Sequence, residues 1–241
     1  MMRRQYPVGI LAIAVVFLFS ILPAVSWAEI KGYEKSTGYE YIALGVYPQT
    51  EQGEQQPIIW RVLEVTDEYA YLLCEYILFN YRVHEDYKEY EQIREVFHQT
   101  EIFSILNGEF LDSAFSPAES ALLIEDQALG KIFLVDADDI KNKEYGFTDN
   151  KSRQGFGTPF AVANGLFKYR NTAHGRGSSP YWTRSPSSTL LSGVRCTKAD
   201  GSIGYIRCVV MNEGIRPALR LSLTAKFYGA GTMTDPYRIV P

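Results

Sequence analysis

Apolar residues along this chain follow a strand rhythm at both ends and a helical rhythm in the middle. Residues 41–47 alternate apolar and small positions and predict a first strand, stopped by Pro48, with a polar loop over 49–56 and Gly53 at its tip. Residues 58–65 and 69–75 predict two more strands joined at Thr66-Asp67-Glu68, and the three together predict an antiparallel meander. Ile102, Ile105, Leu106, Phe110 and Leu111 then fall close to an i, i+3, i+4 spacing, which predicts a helix over 101–114 weakened by Gly108. Ser116-Pro117-Ala118-Glu119 has the residues of a helix start, with a serine cap, proline first and glutamate three after the cap. A short strand is expected over 131–135, a brief helix over 137–142 capped by Asp136 with Asp139, and a further helix from Thr158-Pro159 to Phe167. Residues 168–179, which include His174, are polar and glycine-punctuated and predict a long loop. Strand patterning returns over 179–186, 190–197, 202–211 and 215–223, with one last short strand in the tail. Strands, short helices and strands again predict an α+β fold in a single domain.

The first 28 residues stand apart. Arg3 and Arg4 precede an apolar run over 8–25 broken only by Gly9, Ser20 and Pro23, and Ser26 and Ala28 place small residues where signal peptidase needs them. Cleavage before Glu29 is expected, leaving a domain over 29–241; the alternative is an uncleaved anchor. The expected location is secreted or periplasmic, with no stable membrane anchor after cleavage. Loss of the two arginines moves the net charge from −4 to −6, and this mild, dispersed acidity argues against a nucleic-acid partner, which requires a basic stripe.

Candidate chemistry is sparse. The three histidines, His84, His98 and His174, lie far apart and in no metal-ligand spacing. Asp136, Asp138 and Asp139 cluster, but helix capping accounts for two of them and no calcium-loop pattern follows. No metal and no cofactor is expected, and no Gly-x-Ser-x-Gly elbow or singled-out carboxylate pair points to catalysis. Cys74 sits in an apolar run and reads as a buried inert thiol. Cys196 and Cys208 flank the Asp200-Gly201 turn and are a disulfide candidate that depends on register. A two-residue turn sets Cys196 against Tyr205, and only an odd-length loop centred on Ser202 sets the two cysteines opposite each other.

The most specific signals lie near the C-terminus. Tyr181-Trp182-Thr183-Arg184-Ser185-Pro186 alternates aromatic and arginine with small polar residues, a composition favoured at interaction hot spots. Strand alternation puts Trp182 and Arg184 on one face, so a core Trp beside an internally paired Arg is the competing reading, and the same holds for Arg216 before Pro217. The order of residues 41–48, 59–63 and 106–117, the Tyr-Trp-Thr-Arg-Ser-Pro strand, Asp200-Gly201 and Gly214-Ile215-Arg216-Pro217-Ala218-Leu219 resembles a bacterial family of exported domains of unknown function, family six-two-seven-three. The last two motifs are also similar to the C-type-lectin-like fold of formylglycine-generating enzymes and retroelement variable proteins. The resemblance implies a compact α+β domain of small antiparallel sheets and short helices, one sheet presenting a ligand face. Cys196 and Cys208 do not match the enzymes' reactive cysteine pair, and the triplets of calcium-dependent sugar binders are absent. The resulting expectation is a non-enzymatic domain binding a glycan or protein at the cell surface through Tyr181, Trp182, Arg184, Arg195, Tyr205 and Arg207. The alternatives are an envelope enzyme (a glycan hydrolase or a formylglycine-generator-like oxygenase) and a purely structural envelope module.

Overall fold

The computed structural model describes residues 25–170 and 177–240. Residues 1–24 of the expected signal peptide and His174 in the long loop lie outside the described residues. The fold is α+β. Strands β1 (Tyr41–Pro48), β2 (Gln55–Val65) and β3 (Tyr69–Cys74) form the expected meander, followed by β4 (Phe79–Asn80) and β5 (Ile132–Leu134). After β6 (Gly155–Phe156) and β7 (Ser178–Ser179) come β8 (Tyr181–Pro186), β9 (Gly193–Thr197) and β10 (Ile203–Arg207). The chain ends with β11 (Gly214–Ile215), β12 (Pro217–Ser222), β13 (Phe227–Tyr228) and β14 (Tyr237–Ile239). Among the described residues these assemble into a seven-stranded sheet, β13-β14-β1-β2-β3-β12-β5, a five-stranded sheet, β10-β9-β8-β11-β4, and the β6-β7 pair. Each large sheet contains one parallel pairing, β1 with β14 and β8 with β11.

The segment expected as one strand over 215–223 is divided. Gly214 and Ile215 pair within the five-stranded sheet, whereas Pro217 to Ser222 pair within the seven-stranded one, so the chain changes sheets at Arg216. Arg216 is fully buried. Its Nε donates to the Cys74 carbonyl on β3 at 2.8 Å, and its guanidinium lies 5.2 Å from the centre of the Tyr181 ring on β8. Proline at 217 suits the crossing, because a residue without an N–H leaves no ladder donor stranded where pairing switches.

The helical middle fits the sequence signals only in part: the helix expected from Thr158-Pro159 to Phe167 ends at Ala163, and Asn150–Arg153 adds a short helix that was not expected. The helix expected over 101–114 starts at Glu101, capped by the Thr100 hydroxyl, but widens into a π-turn over Leu106–Phe110 before resuming as Leu111–Ala114. The widening brings the Asn107 amide to β5, where its Oδ1 accepts from the N–H groups of Lys131 (2.8 Å) and Ile132 (3.1 Å) and its Nδ2 donates to the Ile132 carbonyl (2.9 Å). A helix over Tyr87–Ile93, capped by Asp86, has no counterpart among the expected elements. The capping box at Ser116 is present, and the same glutamate reaches further: Glu119 Oε1 accepts from Gly45 N at 3.0 Å. Gly45 sits in the β1 bulge at φ +72°, and a Cβ there would lie 2.8 Å from the Ala114 carbonyl oxygen.

The core fills the space between the sheets and under the helices, with Trp60, Trp182, Tyr90, Phe133 and Phe147 among its largest buried side chains. At the seven-stranded sheet, Trp60 Nε1 donates to the Leu44 carbonyl at 2.9 Å, and Arg61 Nε bonds Glu75 Oε2 at 2.7 Å under the Tyr39 ring. At the N-terminal side, Val25 N donates to the Phe227 carbonyl at 2.7 Å and Trp27 packs edge-on against the Phe227 ring. Among the described residues no helix is long and apolar enough to cross a membrane.

Arg216 is held by its stem and one bond rather than by a carboxylate, so its volume matters more than its charge. Arg216→Met, which keeps the stem, is expected to stay within about 1 kcal/mol of the parent stability. Arg216→Ala is expected to lose about 3 kcal/mol through the cavity it leaves. Urea unfolding of the two variants checks the contrast, and equal losses would refute it.

Candidate functional site

Strand β8 carries three of the six residues expected to contact ligand, and the structure turns two of them inward. Tyr181 and Trp182 are fully buried. The Tyr181 hydroxyl donates to the Arg153 carbonyl (2.9 Å), and Trp182 Nε1 donates to the Tyr81 carbonyl (2.8 Å). Arg184 Nη1 donates to the Leu134 carbonyl (2.8 Å), and its guanidinium pairs with Asp139 (3.4 Å) and Asp136 (3.7 Å). Arg184 thus joins β8 to the end of β5 and alone of the three keeps solvent-exposed side-chain surface, about a fifth of it. The joint also corrects the reading of the aspartate cluster. Residues 139–141 form only a 3-10 turn, and Asp139 Oδ2 accepts from the Tyr71 hydroxyl (2.8 Å) as well as from Arg184 and Asp136 N. Among the described residues no group of three or more His, Cys, Asp and Glu side chains is placed to hold a metal ion.

The other three expected residues lie on the β9–β10 hairpin. Ile203 pairs with Thr197, Gly204 with Cys196 and Tyr205 with Arg195, so the connecting loop runs over residues 198–202 and is centred on Asp200. Asp200 Oδ1 accepts from Ser202 N (2.9 Å), and Gly201, at φ +82°, passes so close to the Asn150 carbonyl that no side chain fits there. This odd-length loop is centred two residues before Ser202, the centre that would oppose the two cysteines, so Cys196 faces Gly204. Cys208 instead lies at the far end, its N–H on the Ser192 carbonyl at 2.9 Å. The disulfide is therefore not formed: Cys74, Cys196 and Cys208 are all free and buried. Arg195 is half-buried, Arg207 is exposed, and Tyr205 is 51% exposed. Arg195 and Tyr205 face each other across the hairpin and line a polar hollow of about 560 Å³ with Ser187, Ser188 and Thr189.

A second concavity of about 500 Å³ opens beside the same hairpin, between Cys196 and Ile206 on one side and Phe167, Tyr169 and Pro180 on the other. Phe167 is held by its N–H on the Asn212 carbonyl (3.1 Å), and Tyr169 by its N–H on the Ser178 carbonyl (2.8 Å). Deep in this cleft sits Glu213, only 7% exposed, whose Oε2 has no hydrogen-bond partner among the described residues. Its backbone is fixed: the Glu213 carbonyl accepts from Tyr81 N (3.2 Å), and Gly214 N donates to the Pro180 carbonyl (3.0 Å). Burial disfavours the charged carboxylate and pushes its pKa up to about 7. The Cys196 thiol next to it is pushed up to about 12, first by burial and then by the Glu213 charge, while burial raises Cys74 to about 12 and Cys208 to about 11.

Glu213 is not among the residues expected from the sequence to contact ligand. What could have singled it out is position: an acid directly before the short Gly214-Ile215 strand, where a turn outside the core would leave it in water.

Two outcomes follow from these groups. At pH 8 the native protein is expected to expose almost no fast-reacting thiol to Ellman reagent and to show all three after unfolding in urea. Between pH 4.5 and 7 the unfolded chain has released the Glu213 proton while the folded chain keeps it, so this residue lowers stability as pH rises through that window. Glu213→Gln is thus expected to raise stability at pH 8 by up to about 3 kcal/mol and to change it little at pH 4.5, as read from urea midpoints.

No curated protein and no solved structure matches the chain. The profile of a family described as a domain of unknown function, DUF6273, matches residues 67–223, a span that runs from the second strand connection through β12 and includes the joint, the hairpin and the cleft. The chain is a member of the DUF6273 family of domains of unknown function.

Proposed function

We propose that this protein is an exported bacterial domain of lectin-like fold that binds a glycan or protein ligand without chemically changing it, and that the ligand enters the cleft beside the β9–β10 hairpin. The observation that carries the reading is the cleft itself: an open concavity of about 500 Å³ with aromatic and apolar walls and a buried, unpartnered carboxyl at its base. Phe167 and Tyr205 add exposed rings at its edge, the side chains on which sugars and peptides both stack. Support for the lectin-like part is the side-by-side placement of the two motif strands, β8 and β11, in one small sheet. Support for export is the charged and apolar N-terminal segment followed by Ser26-Trp27-Ala28.

A cysteine-dependent oxygenase is the reading least favoured by these groups. Cys196 and Cys208 sit at opposite ends of the hairpin, and thiols raised to about 12 and 11 hold almost no thiolate at neutral pH.

Arrays of glycans, peptidoglycan fragments and peptides, probed with the purified protein, test the binding reading. Phe167→Ala and Tyr205→Ala are each expected to weaken the bound signal at least tenfold while leaving the urea midpoint unchanged. Full retention by both variants would move the binding surface elsewhere, and no binding to any array would favour a structural envelope module.

A further inference from the structure

We propose that the group the cleft accepts is a cation on an aliphatic stem, the lysine or arginine side chain of a peptide ligand, with Glu213 as its counter-charge. This inference rests on the binding reading above and specifies the chemistry of the same site.

The argument begins with the missing partner. A carboxyl removed from water normally receives hydrogen bonds or a positive charge from its surroundings, and Glu213 Oε2 receives neither among the described residues. The groups around it cannot supply the deficit. The Cys196 thiol on β9 stays neutral at pH 7. Asp200 in the hairpin loop is an acid, held low by the hydroxyl and N–H of Ser202. Tyr169 and Tyr205 contribute phenol rings at the walls. Among the described residues Lys198 is the one basic residue lining the cleft, and it forms no ion pair with Glu213.

The walls fit the rest of such a ligand. Phe167, Pro180 and Ile206 present apolar surface for a methylene stem, and aromatic faces attract an ammonium or guanidinium on its way to the carboxylate. A neutral sugar would also stack on the rings, but its hydroxyls gain little from a carboxylate that is half-protonated at neutral pH. A cation gains the full charge, because its arrival drives the proton off. Binding therefore releases a proton, and affinity rises with pH. With a carboxyl that titrates at about 7, the apparent association constant grows about tenfold between pH 6 and pH 8.

The experiment is a calorimetric or NMR titration of the full chain with the methylamides of N-acetyl-lysine and N-acetyl-arginine. The isosteric N-acetyl-norleucine methylamide and free N-acetylglucosamine serve as neutral probes. The expected result has three parts: at least tenfold preference for a cationic probe over norleucine, about tenfold tighter binding at pH 8 than at pH 6, and loss of both in Glu213→Gln. That variant is expected to remain folded, since it removes a buried charge, and its urea midpoint verifies this. Lys198→Met is expected to bind the cation at least as well as the parent, which separates ligand capture by Glu213 from a resident lysine. Equal binding of lysine and norleucine, a flat pH profile, or full cation binding by Glu213→Gln would each overturn the cation assignment, as would failure of both cationic probes to bind. Cleft-dependent array binding of a neutral glycan together with no lysine or arginine binding would overturn this inference alone and leave the binding reading standing.

Discussion

The two sheets of this protein meet around one fully buried side chain, whose packed stem and single Nε bond fill the crossing. Arg216 sits where the chain passes from the five-stranded to the seven-stranded sheet, bonded through Nε to β3 and lying against the Tyr181 ring of β8. A side chain with a long apolar stem and a flat polar end can span that distance and touch both layers, which a shorter or branched residue cannot. The β8 residues complete the junction on the other side, where Arg184 ties the same strand to β5 and the Asp136–Asp139 turn. With the sheets fixed at these two points, the β9–β10 hairpin projects beyond them, and the cleft forms in the angle between the hairpin and the segment carrying Phe167 and Tyr169.

This arrangement explains why the aromatic residues of the most distinctive motif, Tyr181 and Trp182, are buried. Tryptophan and arginine suit a binding face because they combine area with directional polarity, and the same properties suit a joint between layers. Nothing in the alternation of β8 separates the two uses. The decision is made by what arrives from elsewhere in the chain: the Tyr81 carbonyl for Trp182 and the Leu134 carbonyl and two aspartates for Arg184. These partners are between 45 and 101 residues distant in sequence, beyond the reach of local pattern.

Local pattern did specify what depends on neighbours. The meander β1–β3, the capping box at Ser116 and the hairpin around Asp200 lie close to where periodicity and turn chemistry put them. The misses share a cause. The π-turn at Leu106–Phe110 accompanies the Asn107 bonds to β5, the strand expected over 215–223 is divided between two sheets, and the cysteines miss each other by two residues of loop centring. The acid at the base of the cleft was hidden in the same way, since its burial comes from Phe167 and Pro180, brought to it by tertiary structure.

The pairing of β1 with β14 carries a consequence for the order of events in folding. Ile42 and Tyr237 are neighbours across a parallel ladder although 195 residues of chain separate them, and β3 likewise waits for β12. The loop entropy of such closures must be overcome before the contacts return any stability, which makes them late and slow steps. The meander can form early as a local unit, yet both of its flanks stay open until β12 and β14 are present. The central sheet of this protein is therefore completed by distant strands on both flanks of the meander rather than by growth along the sequence.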